Sequence, residues 1–308
     1  KFYDIKQIVD FVASDNPKTQ LTAYGDRKIN YIPTKKFILD VDSAKIVDNG
    51  IVDVQNADQI VDEIRWEISG NNLMKNELIM LDLLAHFNWE RPVYFVSPNR
   101  QTSLGLQDYL QLEGFAYRLV PVKTESNDQI QIGRIDSDIM HQNLMEQFQY
   151  GNIQDPDVYM DYTCRRTTNV IRIRNKFARL AHELNNENKK QKAIETLDRI
   201  MELTPHNQLP YDIWVLEIIT QYYRAGATDE ANTLVDETAK YIKNEMDYYF
   251  GLNQPFANAV SREKRLSLHI LHRLSQITKQ FDQNERAKNF ERYLNEKVSS
   301  MQGGNMLR

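Results

Sequence analysis

"QKAIETLDR" at Gln191–Arg199 and "DEANTLVDE" at Asp229–Glu237 decide the fold of the carboxyl-terminal half. Each puts a small residue, Ala193 or Ala231, at the same point of an amphipathic helix, 38 residues apart. Ala193, Ile194, Leu197, Ile200 and Met201 share one helical face, and so do Ala231, Leu234, Val235, Ala239 and Ile242. "ERAKNFERYL" repeats the theme at Ala287, later than the period asks because "NEMDYYFGLNQPFANAVS" intervenes. A further helix precedes each of the three: "NKFARLAHEL", with Phe177, Leu180, Ala181 and Leu184 on one face, then "YDIWVLEIITQYYRAG", then "RLSLHILHRLSQITKQF". Helix pairs of about 34 residues with small residues at the crossing and a closing proline, here Pro205, follow the tetratricopeptide pattern. An ordinary helical bundle is the alternative.

Upstream of Arg172, strand and helix signals mix. "INYIPTKKFILDV" (Ile29–Val41) reads as two short strands or a broken edge strand, because Pro33 cannot donate to a ladder. "NADQIVDEIRWEI" spaces Ala57, Ile60, Val61, Ile64 and Ile68 as a helix, with Asn56 and Gln59 as its capping box. "LMKNELIMLDLLAHF" is a second helix with a broad apolar face. "RPVYFV" then reads as a buried strand, "SLGLQDYLQLEG" as a short helix between Ser103 and Gly114, and "FAYRLVPV" as another strand. That run has the size of a βαβ unit with a parallel pair. "SDIMHQNLMEQF" is one more short helix.

The expected architecture is therefore a mixed α/β amino-terminal domain followed by an all-α tetratricopeptide-like helical-repeat domain. The boundaries are 1–160 for the first domain, 161–175 for a hinge, 176–300 for the repeats and 301–308 for a disordered tail. The chain is long enough for two domains at 308 residues. Its longest apolar runs, such as "IWVLEII", fall well short of the roughly 20 residues of a membrane helix, so no membrane insertion by this segment is expected. A net charge of -5 argues against nucleic acid as a partner. The single cysteine, Cys164, rules out an internal disulfide. The first residue is lysine and no signal-peptide pattern follows it. The chain thus reads as a piece cut from a longer protein.

The candidate sites are few. "DYTCRRTTNVIRIRNKF" (Asp161–Phe177) gathers Arg165, Arg166, Arg172, Arg174 and Lys176. Guanidinium groups there could bind phosphate or carboxylate, or form a domain joint paired with Asp155, Asp157 and Asp161. Arg172, Lys176 and Arg179 read as a solvated helical face. The joint is the adopted reading, with Arg165 and Arg166, beside Tyr159 and Tyr162, as the place for an anion if one binds. Trp89 and Arg91 in "NWERPVYFV" are a second candidate at the mouth of a strand, with Trp89 as a packed aromatic the competing reading. His269 and His272 stand three apart on a helix without the pattern of a metal site, and no metal ligand is assigned. No catalytic residue is assigned either, since none of the phosphate-loop, nucleophile-elbow or dinucleotide motifs occurs. The tyrosine-rich "NEMDYYFGLNQPFA" reads as an irregular insertion that caps a groove or fills the core.

"INYIPTKKFILDVD", "KNELIMLDLLAHFNWERPVYFV", "GLQDYLQLEGFAYRLVPV" and "LPYDIWVLEIITQYYRAGATDEANTLVDE" together resemble the carboxyl-terminal region of large bacterial multi-pass membrane proteins. That family carries a domain of unknown function related to a eukaryotic transmembrane protein O-mannosyltransferase. The resemblance implies a parent protein of the GT-C glycosyltransferase type, which takes a lipid-linked sugar donor and has its catalytic acid in the membrane half. The present chain would then lie on the periplasmic face of the inner membrane, attached through an amino-terminal multi-pass region. Its expected partners are a protein or peptide acceptor and its own membrane domain, and it needs no cofactor itself. A scaffold that assembles a membrane complex is the alternative, and an independent soluble enzyme a third.

Overall fold

Asp4 starts the first helix of the chain: its carboxylate accepts the Gln7 N–H at 3.0 Å and caps α1 (Ile5–Ala13), which buries Ile5, Ile8 and Val9. The computed structural model describes residues 1–22, 24–99, 101–124, 132–161, 163–164, 169–253 and 255–304. They divide into two compact units, Lys1–Met140 and His141–Arg308.

In the first unit, β4 (Lys36–Asp40) lies between β1 (Tyr3–Asp4), which is parallel to it, and β5 (Glu63–Glu67), which is antiparallel. β2 (Gln20–Thr22) and β3 (Lys28–Asn30) form a separate hairpin. The expectation of two strands around Pro33 holds, as β3 and β4. The helix expected over 57–68 does not form. Asn56 does take the Gln59 amide at 3.0 Å, but the segment makes a 3₁₀ turn (Val54–Gln59) and then β5. Ile64, Trp66 and Ile68 are buried while Arg65 and Glu67 face solvent. The period is therefore two, and pairing with β4 overrides a spacing that suited either element.

α2 (Ser43–Asp48) is capped by Asp42, and α3 (Lys75–Ala85) packs against α1. The second sheet runs β6–β8–β7–β9, from β6 (Tyr94–Phe95), β7 (Leu110–Leu112), β8 (Tyr117–Leu119) and β9 (Arg134–Ile135). The expected βαβ unit is absent. Where a helix was read over 103–114 there is a 3₁₀ turn and β7, with Leu110 and Leu112 buried in the sheet. β6 and β7 both pair antiparallel to β8. Nor is the "RPVYFV" strand buried: β6 is an edge, with Tyr94 and Val96 45% and 67% exposed. Val61 N–H donates to the Pro121 carbonyl at 2.9 Å and ties the two sheets together.

α4 (Ser137–Gln142) leads into a π-helical turn (Asn143–Gln147). The remaining elements among the described residues of the second unit are helices: α5 (Asn169–Asn186), α6 (Lys190–Leu203), α7 (Val215–Ala225), α8 (Thr228–Gly251), the short α9 (Phe256–Ala259), α10 (Ser261–Gln280) and α11 (Asn284–Gly304). Residues 305–308 of the expected tail lie outside the described residues. α5 with α6, α7 with α8 and α10 with α11 form packed pairs. α7 packs on both helices of the first pair, and α10 on both helices of the second.

The three turns inside the pairs are alike. Asn188, Gly226 and Asp282 occupy the left-handed region, at φ 61°, 89° and 60°. In each turn the next residue (Lys189, Ala227 or Gln283) donates its N–H to a carbonyl five residues back (Leu184, Tyr222 or Thr278). That turn aims the second helix so that Ala193, Ala231 and Ala287 meet the first helix, and all three are buried. The second unit is thus a series of stacked helix pairs. No helix among the described residues is long and apolar enough to cross a membrane.

Candidate functional site

α3 is apolar on almost every side. Leu81 and Leu84 enter the core, yet Ile79 and Leu83 remain 66% and 51% exposed. A helix apolar all round is normally covered, and scattered singletons do not explain a continuous face. A cleft borders α3 on each side. The larger, about 840 Å³, lies between the start of α3, the loop Gly70–Met74, the end of α1 and the residues Ile29–Lys35. The smaller, about 360 Å³, lies between Met80, Leu83 and Leu84 and the stretch Val93–Pro98 that contains β6. Met74 (65% exposed) rims the larger cleft, and Tyr94 and Val96 the smaller.

Tyr94 gives the smaller cleft a fixed polar group. Tyr94 and Gln111 both stand opposite Arg118 across the sheet. The Tyr94 hydroxyl donates to Glu113 Oε2 at 2.8 Å, and Gln111 Nε2 donates to Glu113 Oε1 at 2.9 Å. Arg118 Nη1 stands 3.7 Å from the same carboxylate. Burial, and then the bond and charge of Glu113, push the Tyr94 hydroxyl up to about 12. It therefore stays a neutral donor, and its ring presents a rigid aromatic wall to the cleft.

The residues singled out in the sequence fall in different places. Arg165, Arg166 and Tyr162 lie outside the described residues. Tyr159 is 86% exposed. Trp89 is buried (3% exposed) at φ 65°, its ring 4.6 Å from that of Phe87 and its Nε1–H donating to the Asp40 carbonyl at 3.2 Å. Arg91 is exposed. His269 and His272 are both exposed on α10. Among the described residues no three His, Cys, Asp or Glu side chains are grouped as metal ligands.

Two further expectations need correction. Arg179 is buried (7% exposed), not on a solvated face with Arg172, because it sits on the α5 turn that also carries the buried Ala178 and Leu180. The tyrosine-rich stretch is not irregular up to Gly251, because Ile242 and Met246 continue the buried stripe of α8 at helical spacing. Tyr241 and Tyr249 both donate to Glu245, at 2.8 and 3.3 Å, on that helix.

Arg174 of the same basic run is fully buried. Its Nε donates to Thr204 Oγ1 at 3.1 Å, Nη1 to the Pro210 carbonyl at 3.1 Å, and Nη2 to the Thr204 and Leu209 carbonyls at 2.8 and 2.6 Å. It anchors the loop between α6 and α7. On that loop His206 packs between the rings of Tyr211 and Tyr241, at 4.5 and 4.7 Å. The cation sits over Tyr211 at 5.5 Å. This cluster closes a helix joint and borders no cleft among those described.

Sequence reasoning missed the outer face of α3. The signal was present, since Leu78, Ile79, Met80, Leu81, Leu83 and Leu84 leave only Asp82 polar across seven residues.

Residues 1–139 match the family model described as TMEM260-associated domain 2. The match spans nearly all of the first unit, including α3 and both clefts, and links that unit to the TMEM260 family. No curated protein and no solved structure matches the chain significantly.

Proposed function

We propose that this chain is a non-catalytic, extracytoplasmic part of a membrane-embedded protein glycosyltransferase of the GT-C type, and that it binds the acceptor protein or peptide. The match of residues 1–139 to TMEM260-associated domain 2 carries the reading. In it, the parent protein takes the lipid-linked sugar donor in its membrane region, and this chain stands on the periplasmic side. The clefts along α3 are the contact surface for the acceptor: exposed Ile79, Leu83 and Val96 supply apolar anchors, and Tyr94 a fixed hydroxyl. The stacked pairs of the second unit, of tetratricopeptide type, add area for an extended polypeptide.

The exposed apolar face equally favours a second reading, a scaffold that holds subunits of a membrane complex. Photo-crosslinking in cells separates the two, with the crosslinker at Ile79 or Leu83 in the full-length protein. Acceptor binding predicts that glycosylated proteins are trapped. Trapping only membrane-complex subunits would replace it with the scaffold.

A further inference from the structure

α10 carries five lysines and arginines, Arg262, Lys264, Arg265, Arg273 and Lys279, against one carboxylate, Glu263, in a chain of net charge -5. Its apolar residues Ile270, Leu271, Leu274 and Ile277 are buried. On the other side, Arg262, Arg265, His269, His272, Gln276 and Lys279 follow one another at steps of three and four, and all are exposed. They form a single row along the helix, about 26 Å long at the α-helical rise. Arg273 lies beside it and donates to Gln276 Oε1 at 2.7 Å.

Several cations elsewhere in the second unit are paired: Arg286 with Asp236, Lys288 with Glu285, Lys297 with Asp247, and Arg199 with Glu202. Among the described residues, Arg262, Arg265, Arg273 and Lys279 have no ion pair. Arg262 and Arg265, three apart on the helix, are like charges that weaken it, and an anionic partner relieves that repulsion.

We propose that the exposed row of α10 docks an acidic segment of a protein partner, a stretch rich in aspartate and glutamate. An extended stretch of about eight residues spans the row. A bilayer is the poorer fit, because a helix that lies on lipid needs an apolar stripe beside the basic one, and α10 buries Ile270, Leu271, Leu274 and Ile277 inside the unit and leaves Leu266 and Leu268 only half-exposed. Single-stranded nucleic acid is held on aromatic platforms, and α10 has no Phe, Tyr or Trp. The proposal goes beyond the acceptor-binding reading and does not depend on it.

The test uses the whole chain and a fluorescein-labelled polyglutamate of about ten residues, followed by anisotropy as salt is raised. The variant Arg262→Gln/Arg265→Gln/Arg273→Gln/Lys279→Gln removes the row while keeping good helix formers, and circular dichroism checks its fold. The expected result is salt-sensitive binding that weakens about tenfold or more in this variant. A control that removes as much charge from the first unit, Lys6→Gln/Lys18→Gln/Lys28→Gln/Lys45→Gln, should stay within about twofold of the wild type. Equal binding by the α10 variant overturns the proposal, as does an equal loss in the control. Stronger binding to phosphatidylglycerol vesicles or to polyuridylate than to the peptide also overturns it, since the partner would then be of another class.

Discussion

The guanidinium of Arg174 is fully buried while its nearest carboxylate, on Asp212, stands 3.6 Å away and partly open to solvent. Burial pulls the arginine below its ordinary pKa and Asp212 pushes it back. Most of the compensation comes from four bonds to Thr204, Leu209 and Pro210. Arg174→Ala leaves three carbonyls without their donor and should cost about 3–5 kcal/mol. Asp212→Asn should cost less than half as much, because the four bonds survive. Urea denaturation of both variants measures the difference, and equal losses would make the ion pair the dominant contact.

Gly105 is held at φ 85°, and a Cβ built there would lie within 2.4 Å of the Glu67 carbonyl oxygen at the end of β5. Gly50 has φ 59° but nothing within 4 Å. Gly105→Ala combines a left-handed backbone with a backbone clash and should lose about 3 kcal/mol or more. Gly50→Ala meets only the conformational cost, about 1 kcal/mol. Similar thermal shifts for the two would show that the end of β5 at Glu67 moves freely, contrary to its packing.

The helical half was readable because its signal is long and repeated. Phe177, Leu180, Ala181 and Leu184 are all fully buried, and chance rarely produces three alanines in register. What stayed hidden was the cause of that register, the left-handed turns at Asn188, Gly226 and Asp282: only one of the three is glycine. The first half misled where segments were short. Ile60, Val61, Ile64 and Ile68 fit a helix as well as Ile64, Trp66 and Ile68 fit a strand, and only β4, distant in sequence, decides between them. The candidate surface was half visible. An all-apolar α3 can be read from its letters, but which side the core leaves open cannot. Likewise nothing in the letters separates buried Arg174 from exposed Arg172.

Ala231 offers a direct check of the pair crossings. It is fully buried where α8 begins, and its N–H reaches the Ala227 carbonyl at 3.1 Å. Ala231→Leu has to push α7 and α8 apart, and should cost about 1–3 kcal/mol by overpacking. Ala231→Ser, close in size, should cost less. If leucine is tolerated without loss of melting temperature, the crossing is looser than its burial implies.

His206 makes the stability of the second unit depend on pH. Its Nδ1 accepts the Tyr211 N–H at 3.1 Å, which requires the neutral ring. Burial lowers its pKa first and the Arg174 charge second, while Glu237 and Glu245 oppose them. A histidine held below its unfolded value of 6.5 takes up a proton more readily in the open chain than in the fold. Stability is then complete above that value, falls as pH drops through it, and levels off once the folded-state value is passed. His182, lowered by burial and by Arg224 against Glu217 and Glu183, acts in the same direction. The melting temperature should therefore fall between about pH 7.5 and about pH 5. His206→Gln keeps an acceptor near Tyr211 but cannot titrate, so its melting temperature should fall less over the same range. An identical slope in wild type and variant would assign the acid sensitivity to His182 or to the carboxylates instead.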